Sequence, residues 1–447
     1  MTTAAETAVE WPRWEDPAFF QQDSEVIQES MGAARRAARI YWYESPVMTT
    51  GAWVLSRWED IRYVSSHPEL FCNGKGFLIG DASDPSTIID QLPESARDGL
   101  EKPGLTPAEV RGLISRAKLS LGDPEVENIG YLDPPRHGQV RSIFTSAMRP
   151  SLVRKLKPRI AELADEFLDQ VEPGVEVDFV KTLGRIPTTL MTELIGVPRD
   201  LREEFIEMAS EHLQAVAISP NKPKEEIERG ERLTKKFRGY IEDLLNERRA
   251  SGGAGDDLVS VIATTQVDGK PVPHGIAVPI VSFFINAGET TRASLSHMAM
   301  CLAERPDQRR LLVERPELVP NAFEETMRWY PVNWSHCRTA TQRTEIAGQT
   351  IEKDDLLIVA YASAGRDEDV FEGADEYDIT RAFDHDHIGF GYGEHGCPGR
   401  LLATTIATGI WGRIVARFSD WEITGPPVTF SNPFIRGAIS LPITFSA

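Results

Sequence analysis

At 447 residues, with 41% apolar and 26% charged residues and with 34 Gly and 30 Pro spread along the chain, the sequence has the profile of a globular enzyme with room for a sizeable core. A formal net charge of -20, from 68 acidic against 48 basic residues, disfavours a non-specific hold on nucleic acid or anionic lipid. Cys72, Cys301, Cys337 and Cys397 form no C-x-x-C pair, which argues against a zinc ribbon or disulfide framework and for reduced thiols in a cytoplasm.

The start of the chain is polar and acidic and lacks a charged-then-apolar address pattern, so residues 1–15 are expected to be a flexible arm before one domain spanning 1–447. Residues 52–56 read as a strand and 58–65 as a short helix closed by Pro68. Residues 72–128 mix Gly, Pro, Asp and Ser with little periodicity, which predicts long loops and short helices of the functional kind. Helical patterns then dominate at 136–148, 152–171, 199–213, 223–250 and 256–266, with turns at Pro150, Pro173-Gly174, Pro198 and the glycine-rich run 251–255. The longest helical pattern, 275–304, is interrupted by Asn286, Glu289, Arg292 and His297, which predicts a buried helix and no membrane anchor. Helices at 307–314 and 317–330 follow, then strands at 345–351 and 355–361 about a turn at Ala347-Gly348-Gln349. With no repeat and no linker, the expected class is mainly α with minor β in a single domain.

Chemistry concentrates first in Phe390-Gly391-Tyr392-Gly393-Glu394-His395-Gly396-Cys397-Pro398-Gly399. A helical run follows, marked at i+4 spacing by Leu402, Ile406, Ile410, Ile414 and Phe418. Pro398 suits a first helical turn, so Cys397 is expected at a helix N-terminus, where the dipole and free amides favour a thiolate. Glycines let the backbone pass close to a flat cofactor and supply turns with φ > 0. An inert thiol beside a structural turn is the competing reading of the cysteine alone. The second signal is Glu325-Thr326-Met327-Arg328, an acid and a base on one helical face, ahead of Trp329-Tyr330-Pro331. The third is Asn286-Ala287-Gly288-Glu289-Thr290-Thr291, an acid and hydroxyls in mid-helix, where Thr can bond back to a carbonyl and bend the helix.

The spacing of Phe390, Gly393, Cys397 and Gly399, with His395 between, resembles the haem-binding loop of the cytochrome P450 superfamily, in its bacterial soluble branch. The resemblance implies a single P450 fold with haem b, iron protoporphyrin IX, held between the long central helix and the cysteine-loop helix. Cys397 would be the iron ligand, and Phe390, Gly391 and Gly399 would form the loop around it. It also implies that Glu325 and Arg328 are the E-x-x-R ion pair, with Arg381 as third partner, and that Glu289 and Thr290 are the acid–alcohol pair relaying protons to bound dioxygen. His137, Arg141, Arg338 and His395 match positions that hold the two propionates. Three departures stand out: Pro398 follows the cysteine, and Asn286 and Ala287 stand where the family usually has Ala or Gly and then Gly.

The implied activity is a monooxygenase acting on a lipophilic small molecule of terpenoid, steroid, fatty-acid or aromatic type. Its contacts are expected from the 72–128 loops, from Ser282, Ile285 and Asn286, from Val332, Asn333 and Trp334, and from Phe434 with its neighbours. No flavin or iron–sulfur segment is present, so a separate ferredoxin and an NAD(P)H-dependent ferredoxin reductase are the expected partners of a monomer. Their docking is expected on the thiolate side, near Arg400 and Arg413. A peroxide-driven peroxygenase, a redox-neutral isomerase or dehydratase, and a non-catalytic haem sensor are the alternatives; intact Glu289-Thr290 argues against the first group.

Overall fold

The computed structural model describes residues 11–447 apart from 46–47, 89–91, 93, 101, 121–125, 216–222, 254, 256, 268 and 432. Helix makes up 54% and strand 13%, so the chain is mainly α with minor β, in a single domain.

The central helix, His274–Ala303, begins after Pro273 and stops before Pro306. It is buried around most of its circumference, from Ile276 and Val281 to Leu295 and Met298, which is why its apolar pattern shows no single face. Its closest neighbour is the helix Arg185–Ile195, a segment the periodicity reading passed over. Five residues of that helix, Ile186, Thr188, Thr189, Thr192 and Ile195, are β-branched, which weakens the helical signal, and burial of Ile186, Leu190, Met191 and Ile195 overrides it. The two helices approach so closely that a Cβ on Gly288 would lie 3.0 Å from the Thr188 Cα.

The cysteine helix, Arg400–Arg417, buries Leu402, Ile406, Ile410, Ile414 and Val415, and Phe418 caps it. It packs on Pro150–Leu168, on the E-x-x-R helix Val319–Trp329 and on the central helix. At one side lies a five-stranded sheet in the order Ile40–Tyr43, Ala52–Leu55, Leu356–Val359, His336–Ala340, Phe71–Cys72, in which only the pairing of Leu356–Val359 with Ala52–Leu55 is parallel. The turn at Ala347-Gly348 joins Thr344–Ile346 to Gln349–Ile351 with positive φ at both residues (50° and 78°), the primed geometry that suits a two-residue hairpin.

Two expectations are corrected. Residues 11–15 are not a loose arm, because Trp14 is fully buried, its ring tilted against Phe20 and its indole N–H donating to the Tyr41 hydroxyl at 3.1 Å; residues 1–10 lie outside the described residues. Residues 72–128 are also less loop-like than expected, since Pro107–Ser120 is a helix of 14 residues carrying the buried Arg111, whose guanidinium donates to the Asp354 carbonyl at 2.7 Å. Among the described residues no helix is long and apolar enough to cross a membrane.

Candidate active site

The glycine loop turns back on itself so that the Cys397 N–H donates to the Phe390 carbonyl at 2.8 Å, and Gly396 N–H to the Gly393 carbonyl at 3.0 Å. Gly391 and Gly393 hold φ near +70°, and a Cβ on Gly393 would lie 2.0 Å from the Ser65 carbonyl oxygen, so no other residue fits there. The helix begins at Arg400 with Gly399 as its cap, so Pro398 precedes the first turn instead of opening it, and Cys397 lies just outside the helix. Burial pushes the Cys397 thiol up; N–H groups of Gly399 and Arg400 and the charges of Arg141 and Arg400 oppose that without reversing it. The cysteine keeps accessible surface.

The loop is anchored from the E-x-x-R helix. Glu325 and Arg328 are fully buried and joined by two parallel bonds of 2.7 Å, with Arg381 Nε also on Glu325 at 3.1 Å and the Asp378 N–H at 2.9 Å. Arg328 continues to the carbonyls of Gly365, Ala374 and Glu376, and Arg381 to those of Gly373 and Glu376, so one carboxylate and two guanidiniums organise the segment 365–381. A second network, not foreseen from the sequence, starts one residue earlier: Glu324 accepts from His387 and Arg400, both at 2.8 Å. Burial works to raise the Glu324 carboxyl, but His387 and Arg400 outweigh it and hold it below the ordinary value.

On the central helix Ser282, Phe283, Asn286, Ala287 and Thr290 keep partial exposure and form a stripe at i+3 and i+4 spacing in a mostly buried element. Ser282 spends its hydroxyl on the Val278 carbonyl at 2.9 Å. The hydroxyls of Thr290 and Thr291 converge on the Ala287 carbonyl, at 3.2 and 2.7 Å, and the helix stays continuous. Glu289 points away from the stripe, buried against Arg292 and within 3.4 Å of the Ser210 hydroxyl, and burial raises its carboxyl although both partners oppose. Asn286 Oδ1 is buried with no hydrogen-bond partner.

Nitrogen donors gather around the cysteine loop. The rings of His137 and His395 pack tilted at 4.2 Å, and both ring nitrogens of His137 and Nε2 of His395 are buried without hydrogen-bond partners, the Glu394 carboxylate lying 4.0 Å from His137 Nδ1. Burial and Arg141 bring His137 down to about 4, and burial with Arg338, His137, His336 and Arg141 brings His395 down to about 2. Arg141 donates to the Glu394 carbonyl and Arg338 to the Cys337 carbonyl, each at 2.7 Å, leaving most of both forks free to take another acceptor. His336, missed from the sequence, shares a strand face with Arg338 and packs on Phe77, Tyr361 and Phe434. Among the described residues no three His, Cys, Asp or Glu side chains gather as a bare-metal site.

The cytochrome P450 family model matches residues 108–442. The chain belongs to the cytochrome P450 family. Linalool 8-monooxygenase of Pseudomonas putida is 29% identical to this P450 over 97% of this chain and 98% of its own, and cytochrome P450-terp of a Pseudomonas species is 28% identical over 88% of each. CYP108D1 of Novosphingobium aromaticivorans superposes with a TM-score of 0.76 at 24% identity over 95% of each chain, which supports the fold. This P450 is a monooxygenase with haem as its cofactor.

The residues present fit that cofactor. The orphaned nitrogens of His137 and His395 and the free guanidinium N–H groups of Arg141 and Arg338 would hold carboxylates, and an anion brought beside the two rings would raise their titration toward the charged form. Cys397 would supply the sulfur ligand, with Phe390, Gly391 and Gly399 shaping the loop around it; a Cβ on Gly399 would sit 3.7 Å from the Cys397 sulfur.

Among the residues expected at the substrate, Ser282, Asn286, Asn333 and Phe434 keep accessible surface, and Phe434 packs on His336 and Phe77. Ile285 belongs to the main core, and Val332 packs in a small buried cluster with Ala293 and Ile435. Trp334 corrects its expectation: it is fully buried between Phe20, Tyr330 and Arg436, and only its backbone, donating to the Phe434 carbonyl at 2.8 Å, reaches the C-terminal loop. Arg400 and Arg413, expected to meet an electron carrier, are already spoken for by Glu324 and by Asp165 at 3.4 Å.

Proposed function

We propose that this P450 inserts one oxygen atom from O2 into a terpenoid or similarly lipophilic small molecule in the cytoplasm. In this reading it works as a monomer holding haem b, with electrons from a ferredoxin and an NAD(P)H-dependent reductase. The observation that carries the reading is the adjacency on the central helix of a buried acid, Glu289, and the partly exposed Thr290. When bound, haem with a thiolate ligand supplies the reductive activation of dioxygen and the transfer of one oxygen to a C–H bond. Thr290 presents a hydroxyl on the lining stripe, and Glu289, its carboxyl raised by burial, is in this reading the proton source that works along that hydroxyl through water. Arg292 and Ser210 orient the carboxyl from behind. Phe283, Ala287 and Phe434 supply apolar surface, and Asn286 offers one amide for an oxygen atom on the substrate. A terpenoid is placed first among the lipophilic classes because a relative matching nearly full length is named for linalool.

The test is a spin-state titration of the purified haem protein with linalool, a steroid, a fatty acid and a small aromatic, followed by turnover under 18O2 with ferredoxin, reductase and NADPH. A product carrying one labelled oxygen supports the proposal. Turnover that proceeds only with added peroxide, or product without label, would refute it.

A further inference from the structure

The stripe of Ser282, Phe283, Asn286, Ala287 and Thr290 on the central helix carries three polar side chains, and two of them are committed to the helix itself. Ser282 places its hydroxyl hydrogen on the Val278 carbonyl at 2.9 Å, and Thr290 places its own on the Ala287 carbonyl at 3.2 Å. Each hydroxyl then turns only lone pairs away from the helix. Asn286 is different. It is one of the three departures from the family pattern, its Oδ1 is buried, and its side-chain amide makes no hydrogen bond among the described residues.

Water can satisfy such an oxygen while a pocket is open. A ligand that displaces the water without bringing a donor leaves a buried acceptor unpaired, and that loss is charged to its binding. An ether or ketone oxygen could use only the Nδ2 end of the amide and would leave Oδ1 bare. An ionised fatty acid also lacks a donor, and its carboxylate would meet Oδ1 and the lone pairs of Ser282. An ammonium group would lie without a counter-charge, because Glu289 turns away from the stripe and pairs with Arg292. The donor that fits is therefore neutral, and the apolar Phe283 and Ala287 beside Asn286 place it on an otherwise greasy molecule.

We infer that the substrate of this P450 is a neutral lipophilic alcohol whose hydroxyl donates to Asn286 Oδ1. The inference rests on the monooxygenase reading above and narrows its substrate class: hydrocarbons, ethers and ionised acids fall outside. Oxygen entering a C–H bond away from the anchored carbinol breaks that bond and the O–O bond, forms one C–O and one O–H bond, and yields a diol. Two electrons from the external carrier and two protons send the second oxygen to water. The reaction that supplies the substrate is accordingly one that creates a free hydroxyl.

The experiment measures dissociation constants by spin-state titration and by calorimetry for matched series, each an alcohol, its O-methyl ether and the parent hydrocarbon. The series are built on linalool, a 3-hydroxysteroid and an aromatic alcohol, with a fatty acid beside them. The ether is larger than the alcohol and the hydrocarbon smaller, so size alone cannot favour the alcohol over both. In the tightest-binding series the wild type is expected to bind the alcohol about tenfold or more tightly than either analogue. Asn286→Leu should erase that preference and Asn286→Asp, which keeps an acceptor, should retain it, with circular dichroism and ligand-free spectra unchanged. An ether or hydrocarbon that binds the wild type as tightly as its alcohol, binding of the fatty acid alone, or a preference that survives Asn286→Leu would overturn the inference and leave the monooxygenase reading standing. The wild-type comparison decides even if a variant fails to fold. If no compound shifts the spin state or releases heat, the lipophilic-substrate reading falls with it.

Discussion

Glu325→Gln tests how the cysteine loop is held. In the native protein the Glu325 carboxylate, fully buried, faces Arg328 through two 2.7 Å bonds and Arg381 at 3.1 Å, so a neutral amide leaves two guanidiniums without their counter-charge. An amide also presents an NH2 to one guanidinium, turning an attraction into a donor–donor clash. Breaking a buried pair by removing one partner costs about 3–5 kcal/mol, and the carbonyls that Arg328 and Arg381 still bind keep the figure from rising further. Against a total stability of about 5–15 kcal/mol that is a large fraction. Urea denaturation followed by far-UV circular dichroism should report the loss, and the ratio of Soret to protein absorbance should show reduced haem content, because the segment 365–381 precedes the cysteine loop. A variant within about 1 kcal/mol of wild type that keeps full haem would refute the reasoning, and would mean that the carbonyl bonds alone hold the segment.

Other consequences follow from the same geometry. Thr290→Ala should leave substrate spin-state shifts intact but raise NADPH consumed per product, and Glu289→Gln should slow turnover about ten- to a hundredfold with a larger solvent isotope effect; unchanged coupling and rate in both would count against the relay. His137→Ala removes a donor worth about 1.5–3 kcal/mol to a carboxylate, so haem transfer to apomyoglobin should be favoured by about 10- to 100-fold; equal retention would remove His137 from the propionate set. Glu324 titrates below its ordinary 4.5 when folded, so the folded protein binds fewer protons there than the unfolded chain, and its contribution is present above that value and lost as pH falls through the lower folded one. Thermal melts of Glu324→Gln should therefore show a deficit against wild type at pH 7 that shrinks toward acid; a constant deficit would mean that the ion pairs with His387 and Arg400 contribute nothing.

The legible parts of this P450 were those whose signal is local. The cysteine loop is ten consecutive residues, the central helix is one long, mainly apolar pattern, and the Glu325–Arg328 pair is a single helical turn. Arg381 was found only through the resemblance, since nothing local marks an arginine 56 positions from its carboxylate. The Glu324–His387–Arg400 network escaped because its members are scattered over 76 positions and each alone is an ordinary surface type. Trp334 was read into the pocket by adjacency to Val332 and Asn333, whereas its side chain turns into the core beside Arg436. The cations Arg400 and Arg413 look free in one dimension, and only packing shows that Glu324 and Asp165 neutralise them.

The central claim is that Cys397 ligates the haem iron as a thiolate, and the difference spectrum of the dithionite-reduced protein with carbon monoxide tests it most directly. The account predicts a Soret band in the red-shifted position characteristic of thiolate ligation, absent from Cys397→Ser. A wild-type protein that is full of haem yet lacks that band, or a serine variant that retains it, would contradict the assignment.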